Sequence, residues 1–347
     1  MKKNIIVTGL DIGSSRISAV AAEVERGGGF NIAAQVSQPS RGVSRGAIVD
    51  LSEAVRSVSS VLGKLGDKIS CKPCEIYVNI SGDTVKGNLS NGMIPITLRG
   101  REIITPDIDR CVDAASTIHL PFDREIIHRV VHRFSVDDEP SIKNPIGLYA
   151  SRIACEVYVV TANVNHIQNI YKCVNNAGFD VKGIVYTGIA DGLSLLDKAD
   201  MESGVLLLDI GSSLTEATLF FDGEVADIKI FPFGGEDIKG DFKNSPEFAG
   251  MLSSLNIEQA KNIMITGGMA FSDGIVEFLE EKLARPVKMG VVKDIRGDIS
   301  SVDSVRLSTA LGLAKYACRK YEKKLSESKN LAARLSTTVT DIFNNYF

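Results

Sequence analysis

Tryptophan is absent from the 347 residues and aromatic side chains make up only 6%, which on its own excludes nothing. Other shortages exclude more. There is no surplus of positive charge, since 39 Lys and Arg face 43 Asp and Glu for a net charge of −4; general nucleic-acid binding therefore has no electrostatic basis. No uninterrupted apolar run approaches the ~20 residues needed to cross a bilayer. The start, Met1-Lys2-Lys3-Asn4-Ile5, runs directly into an apolar strand pattern and lacks the features of a secretory leader. The six cysteines are scattered, which suits a reducing cytoplasm. Cys71-Lys72-Pro73-Cys74 is a lone C-x-x-C without a second pair and reads as coincidence. His128 and His132 lie in a segment that reads as strand, where residues four apart are too distant to chelate a metal easily.

What is present is ordinary in bulk. Hydrophobic residues at 44% and charged residues at 24% are those of a soluble globular chain. The length suits roughly two domains with a large core.

One motif stands out because it occurs twice. Asp-Ile-Gly-Ser-Ser runs from Asp11 to Ser15 and again from Asp209 to Ser213. Each copy follows an apolar run and is followed by another, which predicts strand, tight turn, strand. Small turn residues, Gly13, Ser14 and Ser15 in one copy and Gly211, Ser212 and Ser213 in the other, let backbone N–H groups and hydroxyls approach an anion. Asp11 and Asp209 at the strand ends can hold a cation, directly or through water. Two such hairpins far apart in sequence suggest two related domains facing one nucleotide. A third element, Asn262 to Ala270, is a short strand ending in Gly267-Gly268, followed by a helix start with Ser272 or Asp273 near its N-cap. A glycine pair there can lie flat against a ring or phosphate. Gly234-Gly235 marks a further turn.

Around these motifs the pattern alternates strands and helices. Leu51 to Leu62 is an amphipathic helix with Asp50 as its N-cap. Residues 83–163 have a different grain: a hairpin-like Asn88 to Leu98, a helix capped by Thr105 with Pro106 at its first position, and extended segments ending in the strand Ile153 to Val160. They read as an inserted α+β block. A helix from Val164 to Ala177 follows, ended by Gly178. Asp303 to Tyr316 reads as a closing helix, and Cys318 to Lys329 as a charged linker or exposed helix end. At the end, Leu331, Leu335, Val339, Ile342, Phe343 and Phe347 form an apolar stripe at helical spacing. By pattern alone this helix lies in a membrane interface or packs on its own domain or a partner.

The hairpin pair, the glycine turn and their order resemble the actin, Hsp70 and sugar-kinase superfamily. Within it the chain resembles FtsA, the bacterial actin-like division protein. The most specific stretches are Gly42 to Asp50, Val78 to Gly82, Ile126 through Asp137 and Asn144 to Leu148. The resemblance implies an α/β, actin-like (ribonuclease H-like) two-domain fold. Residues 1–82 and 164–200 would form domain 1 (1A), 83–163 the inserted subdomain 1C, and 201–317 domain 2 (2A). A linker at 318–329 and a membrane-targeting helix at 330–347 would complete it. It implies ATP and Mg as cofactors, with Asp11, Gly13, Ser14, Ser15, Asp209, Gly211, Ser212, Ser213, Thr215, Gly234, Gly235, Gly267 and Gly268 at the nucleotide. The implied partners are copies of itself, a membrane surface and other division proteins, at the division site on the cytoplasmic face of the inner membrane. Two departures matter. The second loop has Ser212, Leu214 and Glu216 where the family has a glycine, a threonine and usually an aspartate. Only Lys239 to Lys261 intervene where FtsA builds subdomain 2B, which supplies a ribose-binding wall and the docking site for the tail of FtsZ. The resemblance therefore does not carry that partner to this chain. Two other readings are a kinase or robust ATPase of the superfamily, against which stands the lack of an identifiable substrate base, and a PilM-like pilus-assembly scaffold, against which stands the terminal stripe.

Overall fold

The computed structural model describes residues 5–24, 30–117, 120–238, 241–293, 296 and 301–330. The apolar stripe at 331–347 lies outside the described residues.

The first lobe opens with β1 (Ile6–Ile12), β2 (Arg16–Val24), β3 (Phe30–Pro39), the two-residue strands β4 (Val43–Ser44) and β5 (Ala47–Ile48), α1 (Leu51–Ile69) and β6 (Ile76–Ile80). Asp50 caps α1 by accepting the Glu53 N–H at 3.0 Å, as expected. Next come β7 (Lys86–Pro95), β8 (Arg101–Glu102), α2 (Thr105–Ser116), β9 (Arg124–Val136), β10 (Glu139–Ile142), β11 (Tyr149–Ala150) and β12 (Arg152–Asn163). The chain returns through α3 (Val164–Asn176), β13 (Val181–Tyr186), α4 (Thr187–Leu195) and α5 (Lys198–Ser203). The second lobe holds β14 (Val205–Ile210), β15 (Thr215–Phe221), β16 (Glu224–Phe231), α6 (Gly235–Ile238), α7 (Pro246–Ser254), β17 (Asn262–Thr266), α8 (Ile275–Leu283), β18 (Val287–Met289), α9 (Ser301–Arg306) and α10 (Ser308–Asn330).

The sequence repeat is a structural repeat. The first sheet has order β13-β6-β1-β2-β3 and the second β18-β17-β14-β15-β16. In each, the motif hairpin is antiparallel, while the neighbour on the other side of its first strand runs parallel. Helix α10, with Leu307 just before it, packs on β1 and β2 through Ala310, Leu311, Ala314 and Ala317, while α1 covers the opposite face of the same sheet. Gly312 allows α10 to cross α4 closely, since a Cβ there would stand 1.8 Å from the Ala190 carbonyl oxygen.

Several local expectations are corrected. Asn88 to Leu98 is no hairpin: β7 pairs with β12 along its whole length. Gly92 serves close packing beneath α2, where a Cβ would meet the Ala115 nitrogen at 2.3 Å. Ile104, not Thr105, is the N-cap of α2, and the Asp107 carboxylate accepts its N–H at 3.0 Å. The closing helix breaks at Leu307, and the stretch read as linker or helix end carries α10 on to Asn330. Between β16 and β17 the described residues hold α6 and α7 and no strand. Phe242 and Phe248 from this short segment pack on Phe278. No helix among the described residues is long and apolar enough to cross a membrane. All six cysteines are free. His128 and His132 serve separate ends: the Tyr186 N–H donates to His128 Nε2 at 2.9 Å, and His132 Nε2 lies 2.7 Å from the Val225 carbonyl.

That last contact joins the inserted block to β16, where Glu224 is buried and its Oε2 makes no hydrogen bond. Burial, helped by Asp222, pushes its carboxyl up to about 9. A folded-state value above the ordinary one means stability present at low pH and lost as pH rises towards 9. Glu224→Gln is expected to remove most of that loss, about 1–3 kcal/mol for one unsatisfied buried group. Urea titrations at pH 6 and pH 9 check this; equal losses in wild type and variant would contradict it.

Candidate nucleotide cleft

Both motif turns close on themselves before offering anything to a ligand. The Gly13 N–H donates to the Arg16 carbonyl at 3.0 Å and the Gly211 N–H to the Leu214 carbonyl at 2.9 Å. This leaves the N–H groups of Ser14, Ser15, Ser212 and Ser213 with no protein acceptor among the described residues. The two turns face one cleft of about 480 Å³ between the lobes. Asp11, Gly13, Ser14, Ser15, Asp209, Gly211, Ser212, Ser213, Gly235, Gly267 and Gly268 all line it. Gly268 has open space where a Cβ would stand. The helix start after the glycine pair differs from expectation: a 3₁₀ turn, Gly268–Phe271, intervenes and the N-cap of α8 is Gly274.

Two expected residues are placed elsewhere. Thr215 is fully buried, and its hydroxyl donates to the Phe233 carbonyl at 3.0 Å, away from the cleft. Gly234 is pressed against the second motif turn, where a Cβ would meet the Ser212 carbonyl carbon at 2.5 Å; it shapes the turn instead of facing a ligand. The Gly235 and Glu236 N–H groups brace that turn by donating to the Gly211 and Ser212 carbonyls.

The floor of the cleft is acidic. Burial pushes the Asp11 carboxyl up to about 7, with Asp209 adding to it, and pushes Asp209 up to about 6. Glu216 and Asp191 are also buried and held well above the usual carboxylate range, first by burial and then by Asp209. Ser81 donates to Glu216 Oε2 at 2.8 Å, and Ser308 and Thr309 donate to Asp191 Oδ1 at 3.0 and 2.8 Å. Glu216 Oε1 and Asp191 Oδ2 make no hydrogen bond. Such a floor fits a hard cation held by oxygen. Among the described residues, no three His, Cys, Asp or Glu side chains are grouped to hold a metal by themselves. Asp11 and Asp209 could therefore hold magnesium only with water or phosphate oxygens completing its shell. That is the usual manner for this ion.

A further contact spans the lobes. The β4–β5 turn has Arg45 and Gly46 both at positive φ, 47° and 75°. Its tip enters the cleft mouth: the Gly46 N–H donates to Ser14 Oγ at 3.3 Å and the Arg45 N–H to Ser213 Oγ at 3.2 Å. Arg45 also reaches Asp237 at 3.3 Å, and His166 Nε2 bonds the Gly46 carbonyl at 3.0 Å. Motif reading passed over Arg45, Ser81 and Asp191 as site residues, and met Glu216 only as the acid that departs from the family's second loop. Asp191 had a signal: it is the one acid in the otherwise uncharged segment Thr187–Leu195.

Gly267 tests the cradle. Its φ is +84°, and a Cβ would stand 2.3 Å from Asp209 Oδ1. Gly267→Ala is expected to cost roughly 1–3 kcal/mol and to displace Asp209. A denaturation curve matching wild type would contradict this.

Comparisons with known proteins agree with the geometry. A family profile described as an SHS2 domain inserted in FTSA matches residues 66–161. The cell division protein FtsA of Pseudomonas aeruginosa is 25% identical over 384 aligned positions, covering 93% of this chain and 92% of that protein. FtsA of Borreliella burgdorferi is 34% identical over 270 positions, covering 78% of this chain but 63% of that protein. Among solved structures, the PilM–PilN type IV pilus biogenesis complex superposes with a TM-score of 0.66 at 14% identity, over 91% of this chain and 99% of that one. The ethanolamine utilization protein EutJ from Carboxydothermus hydrogenoformans gives 0.51 at 14% identity, over 90% of each chain. The structural likenesses establish the actin-like fold.

Proposed function

This chain is an FtsA homologue with an actin-like fold, and from that premise we propose that it is a membrane-tethered, self-assembling scaffold of bacterial cell division whose cleft binds ATP with magnesium. The observation that carries the nucleotide reading is the facing pair of motif turns, each with two uncommitted serine N–H groups beside a half-buried aspartate. On this reading the phosphates lie between Ser14–Ser15 and Ser212–Ser213, and base and ribose rest near Gly267 and Gly268. Magnesium, when bound, supplies the positive charge that lets a triphosphate share a cleft with Asp11 and Asp209. On this reading any hydrolysis is slow, because the described residues between β16 and β17 supply no ribose wall. We assign 1A to residues 1–82 and 164–200, 1C to 83–163 and 2A to 201–317. The FtsZ tail is not among the proposed partners, since its site in the family sits on 2B. Other copies of this chain and further division proteins are. The fold likeness to the PilM–PilN complex supports a second reading as a pilus-assembly scaffold. The sequence match to FtsA over most of both chains favours the first.

Wild type is expected to bind an ATP analogue in the presence of magnesium, and Asp209→Ala to weaken it at least about tenfold, or 1.4 kcal/mol. Calorimetric titration checks this, and unchanged affinity in the variant would place the pocket elsewhere.

Leu331, Leu335, Val339, Ile342, Phe343 and Phe347 are proposed to enter the lipid interface on the cytoplasmic face of the inner membrane. Full burial is worth ~1.5–3 kcal/mol per side chain, reduced by helix ordering and multiplied across an assembly. Only Lys329 and Arg334 are basic there, so salt should matter little. Leu335→Glu with Ile342→Glu is expected to abolish liposome co-sedimentation and leave the melting temperature nearly unchanged. Retained pelleting would sink the tether; unfolding would show that the stripe packs in the core.

A further inference from the structure

A second cavity, of about 460 Å³, lies along the outer edge of β3 beyond its bridge to Arg296, adjoining the nucleotide cleft, whose lining also includes Arg16 and Arg306. Arg16, Lys64, Lys68 and Arg306 line it with Gln35 and Ser37, and no acidic side chain does so among the described residues. None of the four cations has a carboxylate partner among those residues, in a chain with more acids than bases. A solvated helix face would account for Lys64 and Lys68, four apart on α1. It does not account for Arg16 arriving from β2 and Arg306 from the end of α9. Arg16 Nε donates to Ser37 Oγ at 3.0 Å, which fixes the guanidinium and leaves its two terminal nitrogens uncommitted. Lys68 is held at the wall by the Gln35 carbonyl, 2.8 Å away. Arg306 lies over the Phe271 ring at 5.2 Å, with its N–H edge unused by any acid. Gln35 Oε1 is shielded from solvent and makes no hydrogen bond; turned over, the carboxamide would offer N–H groups to an acceptor.

We propose that this groove binds a free, multiply charged phosphate compound of the pyrophosphate class. Two arginine forks and two lysine point charges converging on a cavity of this size match phosphate chemistry. A lipid headgroup would offer the same chemistry, but the geometry disfavours it. Leu307 at the groove directly precedes α10, whose 23 residues carry the chain about 34 Å away, at 1.5 Å per residue, before the apolar stripe begins. Open backbone on β3 could also pair with a peptide strand, yet Lys68 already occupies the Gln35 carbonyl and Pro39 ends the edge.

The test is titration of the full chain with inorganic pyrophosphate in EDTA, where the acidic floor of the nucleotide cleft repels metal-free anions. Wild type is expected to bind, more weakly as NaCl rises. Lys64→Ala with Lys68→Ala should lower affinity at least tenfold with an unchanged melting temperature, while Asp209→Ala should bind as wild type does. Absence of binding, binding indifferent to the lysines, or loss in Asp209→Ala would each overturn the groove. A second arm measures pelleting with phosphatidylglycerol vesicles; dependence on Lys64 and Lys68 there would overturn the free compound in favour of a headgroup.

Discussion

Four carboxylates gather where the two lobes meet: Asp191 and Glu216 are buried, and Asp11 and Asp209 are half-buried. Much of the architecture can be derived from keeping them there. Ionised carboxylates removed from water repel one another and lose hydration, a cost that only hydrogen bonds, protons or a cation can offset. The protein supplies hydroxyls from both lobes: Ser81 reaches across to Glu216, and Ser308 and Thr309 from α10 reach Asp191 on α4. Those bonds tie the two halves together at the point where they would otherwise push apart. They do not satisfy every oxygen: Glu216 Oε1 and Asp191 Oδ2 stay without a partner, close to the turns whose serine N–H groups suit an anion. A cleft with acids below and anion donors above is matched by a cation carrying phosphates, and poorly by either one alone.

The surroundings of that seam follow. Gly312 is where a side chain would collide with α4, so α10 and α4 approach as closely as backbone permits, and Gly267 leaves Asp209 its place within the second lobe. The β4–β5 tip closes the mouth by touching a serine of each motif turn. Between β16 and β17, α7 with Phe242 and Phe248 seals the second-lobe core.

Much of this was legible in the chain because periodicity and turn chemistry are local. The repeated Asp-Ile-Gly-Ser-Ser fixed both hairpins, and the cap at Asp50 and the stop at Gly178 follow from short-range hydrogen bonding. Asn88 to Leu98 was misread because a strand's partner is a long-range fact: β12 lies some sixty residues on, and a glycine for helix packing looks like a glycine for turning. Thr215 was placed at the ligand by motif position, although alternation along β15 turns its hydroxyl to Phe233. Arg45 escaped because nothing within a few residues of it says that two lobes will converge there, and the one signal at Asp191, a lone acid in an uncharged stretch, does not say what it will face.

The most direct measurement is a crystal structure of the chain with a non-hydrolysable ATP analogue and manganese in place of magnesium. The account predicts phosphates between Ser14–Ser15 and Ser212–Ser213, with an anomalous manganese peak between the Asp11 and Asp209 carboxylates. An empty cleft at saturating analogue, or a nucleotide bound anywhere else, would contradict it.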